Sequence, residues 1–257
     1  MNPTDKFHIR YFHYLNAQEV LFKLKGKKIL DIGCGRGELS RELFKKAAPC
    51  KLVACDIDKS ALQEFKNNIS DEAISFVKCD VHKLPFKNQA FDAVLMFDVL
   101  EHLKHPDQAL SEIYRVLKPG ELFHLVVPCE ADLFTLDGWV NKLFRKNLKE
   151  KPIGHIQQFT YKKVLDMLAE SGFAVQTTAF SYYFLYQFIS LVYFAYANLI
   201  KGGKYIQLVG FSKPNVFSNI LVQVVYFGAW LTNLETQLFQ FLPFKRGQEA
   251  HITSMKI

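Results

Sequence analysis

Two groups of side chains in this chain are spaced for chemistry. The first lies in Lys28-Ile29-Leu30-Asp31-Ile32-Gly33-Cys34-Gly35-Arg36-Gly37-Glu38-Leu39. Gly33, Gly35 and Gly37 directly follow an apolar run, and an acid, Asp31, stands two residues before the first of them. Glycine tolerates positive φ and, lacking a Cβ, lets backbone approach a ligand. A strand that turns over glycines into a helix N-terminus forms a nucleotide cradle. Asp56, 23 residues beyond Gly33, lies near the ~20-residue spacing at which an acid accepts hydrogen bonds from ribose hydroxyls. The second group is Asp98, Glu101 and His102, at i, i+3 and i+4, which on a helical turn share one face. His155 follows in Gly154-His155-Ile156-Gln157-Gln158-Phe159-Thr160. A histidine neutral near pH 7 is a natural base for a hydroxyl, and His102 and His155 are the candidates. His124, mid-strand among apolar residues, reads as a core histidine.

Alternating elements must position these groups. Residues 1–26, with His8, Tyr11, Phe12, Tyr14, Leu15, Val20, Leu21, Phe22 and Leu24, read as a helical lead-in against the sheet or over the cofactor. Ile29, Leu30 and Ile32 are the run of a strand covered on both faces. A helix from Glu38 to Ala48 follows, with Leu39, Leu43 and Phe44 on one face. Strands are expected at Leu52–Asp56, Ile74–Lys78, Phe91–Phe97, Leu122–Val127 and Gly172–Phe180, and helices at Lys59–Ile69, after Pro106 to Leu117, and at Tyr161–Ser171. Asp107 and Thr160 are candidate N-caps, and Lys118-Pro119-Gly120 is a turn. Such alternation means an α/β fold with a doubly wound, mostly parallel sheet, here of seven strands.

The set D-I-G-C-G-x-G, then C-D, then F-D-x-V-x-x-x-D-V-L-E-H-L, then V-L-K-P-G resembles the class I S-adenosylmethionine (SAM) methyltransferases, the large group that includes the quinone-biosynthesis enzymes. The resemblance covers about residues 27 to 180. It implies a Rossmann-like methyltransferase fold, SAM as cofactor, and cofactor contacts from Asp31, Gly33, Gly35, Gly37, Asp56, Ile57, Asp80, Val81 and Phe97. In that family an acid ending the third strand faces the adenine amino group and the next backbone N–H serves a ring nitrogen, which puts Asp80 and Val81 in those roles. Some quinone and small-RNA methyltransferases use an acid-x-x-Glu-His run with a distant His for a divalent metal, which makes Asp98, Glu101, His102 and His155 the candidate ligand set. In the metal-free members Glu and His order the loop under the methionine end of SAM. The dinucleotide fingerprint G-x-G-x-x-G would need glycine where Glu38 stands, which counts against an NAD-dependent oxidoreductase.

The composition, 49% hydrophobic with 24 Phe, is ample for a core. Five cysteines, Cys34, Cys50, Cys55, Cys79 and Cys129, without a C-x-x-C or a signal peptide point to reduced thiols and a cytoplasmic setting. The formal charge of +7 is a weak pointer to nucleic acid or anionic membrane. Lys142, Arg145, Lys146, Lys149 and Lys151 read as a solvated basic face or a membrane-facing patch.

No charge occurs from Phe173 to Ile200 or from Pro214 to Leu234. Two such runs could be a transmembrane hairpin. Yet Asn219, Gln223, Tyr226, Trp230, Asn233, Gln237 and Gln240 recur at helical steps, as do Tyr183, Gln187, Ser190 and Tyr193, so each run reads as an apolar helix with a polar stripe. The expected organisation is a SAM-binding core at 1–180, a helical insertion at 181–249 and a final strand at 250–257. The insertion could be a lid, a homodimer contact or a peripheral membrane contact, with Lys201, Lys204, Lys213, Lys245 and Arg246 suited to anionic head groups. The expected acceptor is a hydrophobic, lipid-linked or quinone-like small molecule, with a soluble acceptor or RNA as the alternative.

Overall fold

A computed structural model describes the chain apart from residues 1–2, 5–7, 9, 22–25, 48–49, 145–146, 148, 201–215 and 240–246. Phe22, Leu24, Ala48, Arg145, Lys146, Lys201, Lys204, Lys213, Gln240, Lys245 and Arg246 therefore lie outside the described residues. In chain order the elements are α1 (Tyr11–Leu21), β1 (Lys28–Ile32), α2 (Glu38–Ala47), β2 (Lys51–Asp56), α3 (Lys59–Asn67), β3 (Ile74–Lys78), β4 (Phe91–Phe97), α4 (Pro106–Val116) and β5 (Leu117–Pro128). They continue with α5 (Leu136–Phe144), α6 (Glu150–Ile153), α7 (Tyr161–Glu170), β6 (Phe173–Ser181), α8 (Phe184–Ile200), α9 (Val216–Phe239) and β7 (Glu249–Lys256).

The seven strands form one sheet in the order β3-β2-β1-β4-β5-β7-β6, with β7 antiparallel to both neighbours and the pairs from β3 to β5 parallel. The winding reverses between β1 and β4, the switch point where open α/β sheets bind ligands. The unbroken apolar runs serve both faces. Leu30, Ile32, Val53, Cys55, Val94 and Met96 join the core under α4 and α7, while Ile29, Leu52, Ala54, Ala93 and Leu95 join the core under α1, α2 and α3. Leu39, Leu43 and Phe44 are the buried face of α2.

Four local expectations are corrected. Lys118-Pro119-Gly120 belongs to β5, where a register shift between Phe91 and Ala93 of β4 accommodates it. Asp107 does not cap α4: His105 holds that position and Pro106 opens the helix, its missing N–H being one of the helix's unpaired donors anyway. Thr160, by contrast, caps α7 as expected, its hydroxyl accepting from Lys163 N at 3.1 Å. The thiols are not all reduced: Cys55 of β2 is joined to Cys79, just past β3, with Cα atoms 6.0 Å apart, while Cys34, Cys50 and Cys129 form no disulfide. Adjacent parallel strands bring those two together. Lys149 is buried rather than part of a basic surface, because Glu130 and Asp137 hold it inside.

In the described part of the segment between β6 and β7, several polar side chains turn inward beside Phe194. Gln187 and Ser190 of α8 and Thr232, Asn233 and Thr236 of α9 are buried, whereas Phe184, Phe188, Val192, Phe227 and Leu238 are each more than half exposed. The inward polar groups have work: Gln187 accepts from Leu136 N at 2.7 Å and donates to Tyr182 O at 3.1 Å, and Asn233 donates to His8 O at 3.1 Å. Among the described residues no helix is long and apolar enough to cross a membrane.

Candidate active site

The glycine turn sits at the switch point. Gly33 N and Cys34 N both donate to Cys55 O (2.8 and 3.2 Å), which fastens the turn to β2. All three glycines have positive φ: 73° at Gly33, 53° at Gly35 and 74° at Gly37. Their roles differ. A Cβ on Gly33 would run into Val99 and one on Gly37 into the Phe65 ring, so these two are needed for packing. A Cβ on Gly35 would meet nothing within 4 Å, because it would point into open space. Gly35 lines a cleft of about 310 Å³ together with Arg10, Asp31, the rest of the turn, Phe97 and Asp98.

Asp56, at the end of β2, accepts from Gly35 N at 2.7 Å through Oδ2 and from Asp58 N at 2.8 Å through Oδ1. It shapes the turn and leaves lone pairs for further donors. Ile57 beside it is two-thirds exposed, an apolar surface suited to a base. Asp80 closes an Asx turn, with Oδ1 accepting from His82 N at 2.9 Å, and Val81 is buried behind it. Asp31 is buried at the floor, takes a short hydrogen bond from Ser40 Oγ, and is pushed up to about 7 by burial. Along the sheet edge the strand order therefore sets Asp80, Asp56, the glycine turn and Asp98 in sequence.

The second group separates. Asp98 is not on a helical turn: it takes left-handed backbone, φ 53°, and only Leu100–His102 form a 3-10 turn. Its side chain turns to His13, and the expected four-residue set with Glu101, His102 and His155 does not form. The other three do converge, one ligand atom from each lying within 4.8 Å of the rest. His102 Nδ1 donates to Gly154 O at 2.9 Å, and His155 Nδ1 donates to Glu130 Oε1 at 3.0 Å. A carbonyl and a carboxylate only accept, so both rings carry a proton on Nδ1. Glu101 is buried with neither carboxylate oxygen receiving a hydrogen bond, and Oε1 lies 3.8 Å from His155 Nε2. Burial and the charge of Asp98 push its pKa well up. His102 stays exposed at the open side, its pKa lowered by partial burial.

His124 is buried, with Nδ1 3.0 Å from Thr253 Oγ1, as a core histidine should be, although its Nε2 has no partner. Three contributors escaped sequence reasoning: His13, Glu130 and Glu249. Their partners are remote in the chain, 85 positions in the case of His13 and Asp98. Only Glu130, an acid two residues past the fifth strand, carried a positional signal.

Residues 30–125 match a methyltransferase domain family. The chain is 30% identical over 173 residues to sterol 24-C-methyltransferase ERG6B of Gibberella zeae, covering 66% of this chain and 44% of that protein. It is 41% identical over 98 residues to the ubiquinone/menaquinone biosynthesis C-methyltransferase UbiE of Bordetella avium, covering 37% and 38%. The chain thus spans less than half the length of either relative. A proposed methyltransferase of Bacillus halodurans C-125 superposes with a TM-score of 0.61 at 22% identity over 93% of this chain and 98% of that one, a likeness of fold. Residues 30–125 thus form a methyltransferase domain, and the sheet has the fold of the class I SAM-dependent methyltransferases.

Proposed function

We propose that the chain transfers the methyl group of SAM to a hydrophobic small-molecule acceptor reached from a lipid surface. The cofactor lies along the sheet edge, adenine toward Asp80 and Val81, ribose on Asp56, and the methionine end over the glycine turn. The sulfonium is already a good leaving group, so the protein's task is alignment and exclusion of water. The observation that carries the acceptor side lies in the described part of the insertion: Gln187, Ser190, Thr232, Asn233 and Thr236 are buried while Phe184, Phe188, Val192, Phe227 and Leu238 are exposed. α5 packs on α8 and adds exposed Trp139 and Leu143, beside exposed Lys142. Apolar and aromatic side chains next to lysines suit an anionic interface, each lysine contributing about 1 kcal/mol near it. The sterol and quinone substrates named for the relatives have the same character.

Flotation with phosphatidylglycerol vesicles carrying a prenylated quinol, in the presence of methyl-labelled SAM, tests this. The protein should float at low salt, release with added salt, and move label into the lipid. Protein that stays at the bottom at low salt and leaves all label in SAM contradicts the reading.

A divalent cation at Glu101, His102 and His155 is a second element of the reading, supported by the two unpartnered oxygens of buried Glu101. One carboxylate and two imidazoles with their Nδ1 protons anchored are the donor set and outer shell that first-row metals take. Calorimetric titration with Mn²⁺ should show one site, and Glu101→Gln should weaken it by tenfold or more, an order-of-magnitude figure drawn from outer-shell changes. An absent Mn²⁺ signal, or one untouched by the substitution, removes the metal.

A further inference from the structure

At the junction of α1, β4 and β7, two carboxylates close around one imidazole. His13 Nε2 lies 3.2 Å from Asp98 Oδ2 and 3.5 Å from Glu249 Oε2. His13 and Glu249 are buried, while Asp98 keeps a quarter of its side chain open and lines the cleft below the glycine turn. Glu249 Oε2 also accepts from Ser181 Oγ at 3.0 Å, and that hydroxyl lies 2.7 Å from His251 Nε2. Two carboxylates this close in a dry site do not both stay ionised without a cation or a shared proton.

We infer that this cluster holds a proton that the sulfonium of SAM expels, and that it regains one, from the acceptor, when the methyl group leaves. The inference rests on the cofactor reading above. With ribose on Asp56 of β2 and the glycine turn after β1, the sulfur beyond the ribose falls toward β4, where Asp98 stands. In the transfer to an O–H or N–H acceptor, the carbon–sulfur bond breaks with its electron pair going to sulfur. The acceptor's lone pair forms the new bond to carbon, and its hydrogen departs as a proton. Positive charge thus vanishes from the sulfur in the step that releases a proton beside Asp98.

The groups around the cluster agree with a labile proton. Burial pushes Glu249 up to about 8. Burial opposes charge on His13, but Glu249 and Asp98 outweigh it and raise its pKa. Burial likewise opposes the Asp98 carboxylate, and His13 and Arg10 overcome it, holding that group well below the usual range. From β5 and β7, His124 and His251 are kept neutral by burial, and Tyr182, just past β6, and Tyr186 of α8 are pushed upward by burial and stay protonated. Glu101 and His155 reach the cluster by charge alone. Asp31 also titrates in the cleft, but it faces the methionine end, which SAM and S-adenosylhomocysteine share, so it cancels between them.

Calorimetry of the full chain with SAM and with S-adenosylhomocysteine near pH 7, in phosphate and in Tris, reads the protons released by each. SAM should release more, by roughly half to one proton. The excess should fade above about pH 8, where Glu249 has already lost its proton. Glu249→Gln and His13→Gln should bind both ligands and lose the excess. Equal release by the two ligands in the unmodified protein overturns this inference and leaves the cofactor reading standing. Failure of both ligands to bind overturns both. The comparison within the unmodified protein decides the matter even where a variant does not fold.

Discussion

Gly35→Val is expected to abolish SAM binding while leaving the sheet folded. Of the three turn glycines, Gly35 alone has open space where its Cβ would be, and it lines the cleft. Its N–H is held 2.7 Å from Asp56 Oδ2, so the backbone cannot swing aside without breaking that bond. A branched side chain there occupies the ligand's place. The left-handed backbone adds about 1–2 kcal/mol of local cost, small beside a core of this size. Gly37→Val has the opposite signature: its side chain would enter the Phe65 ring, and over-packing the core between α2 and α3 lowers stability first. Thermal shift separates the two. SAM at 100 times its dissociation constant should stabilise the unmodified protein by ~2.7 kcal/mol, and Gly35→Val should melt near the ligand-free temperature with or without SAM. A Gly35→Val protein that still takes the full shift places the cradle elsewhere.

What was legible in the sequence was whatever local chemistry determines. The apolar runs at Ile29–Ile32 and Ala93–Met96 announce strands covered on both sides, and they feed both cores. The glycine spacing and Asp56 act within one βα unit, and the structure joins them by a direct hydrogen bond. The helical stripe in the insertion was legible as a period, but its direction was not. Nothing in the period of Gln187, Ser190 and Asn233 says whether the stripe faces water or protein; that depends on Leu136 N and His8 O, which sit on other elements. Asp98 misled for a related reason. The i, i+3, i+4 spacing assumes helical backbone throughout, and one residue at φ 53° sends the first acid to His13 instead of His155. Lys149 was hidden by its neighbours, since a lysine within a basic stretch reads as surface until its acids are located.

Lys149→Met is expected to cost about 3–5 kcal/mol of stability at neutral pH, the range for removing one partner of a buried ion pair. Lys149 Nζ lies 2.8 Å from Glu130 Oε1 and 2.9 Å from Asp137 Oδ2, with all three side chains nearly inaccessible. The cluster joins α5, α6 and the end of β5, and Lys149 also stands 5.5 Å from the Phe194 ring of α8, so its loss loosens the platform under the insertion. The two acids feel Lys149 unequally. Burial opposes ionisation of Glu130, but Lys149 and His155 overcome it and bring it down to about 2. At Asp137 burial wins and the pKa is raised. The pH dependence follows from Glu130. Its depressed value contributes stability above the ordinary 4.5 that is lost as pH falls toward 2. Without Lys149 the same burial favours the protonated acid, so acid relieves the variant while it weakens the unmodified protein. The deficit, read from urea unfolding, should therefore be largest near pH 7 and distinctly smaller near pH 4. Glu130→Gln combined with Lys149→Met should recover part of it, because the buried charge is removed along with its partner. A deficit below ~1 kcal/mol, typical of a surface pair, or one that does not change with pH, would show that Lys149 is solvated and that the cluster does not hold α5 and α6 in place.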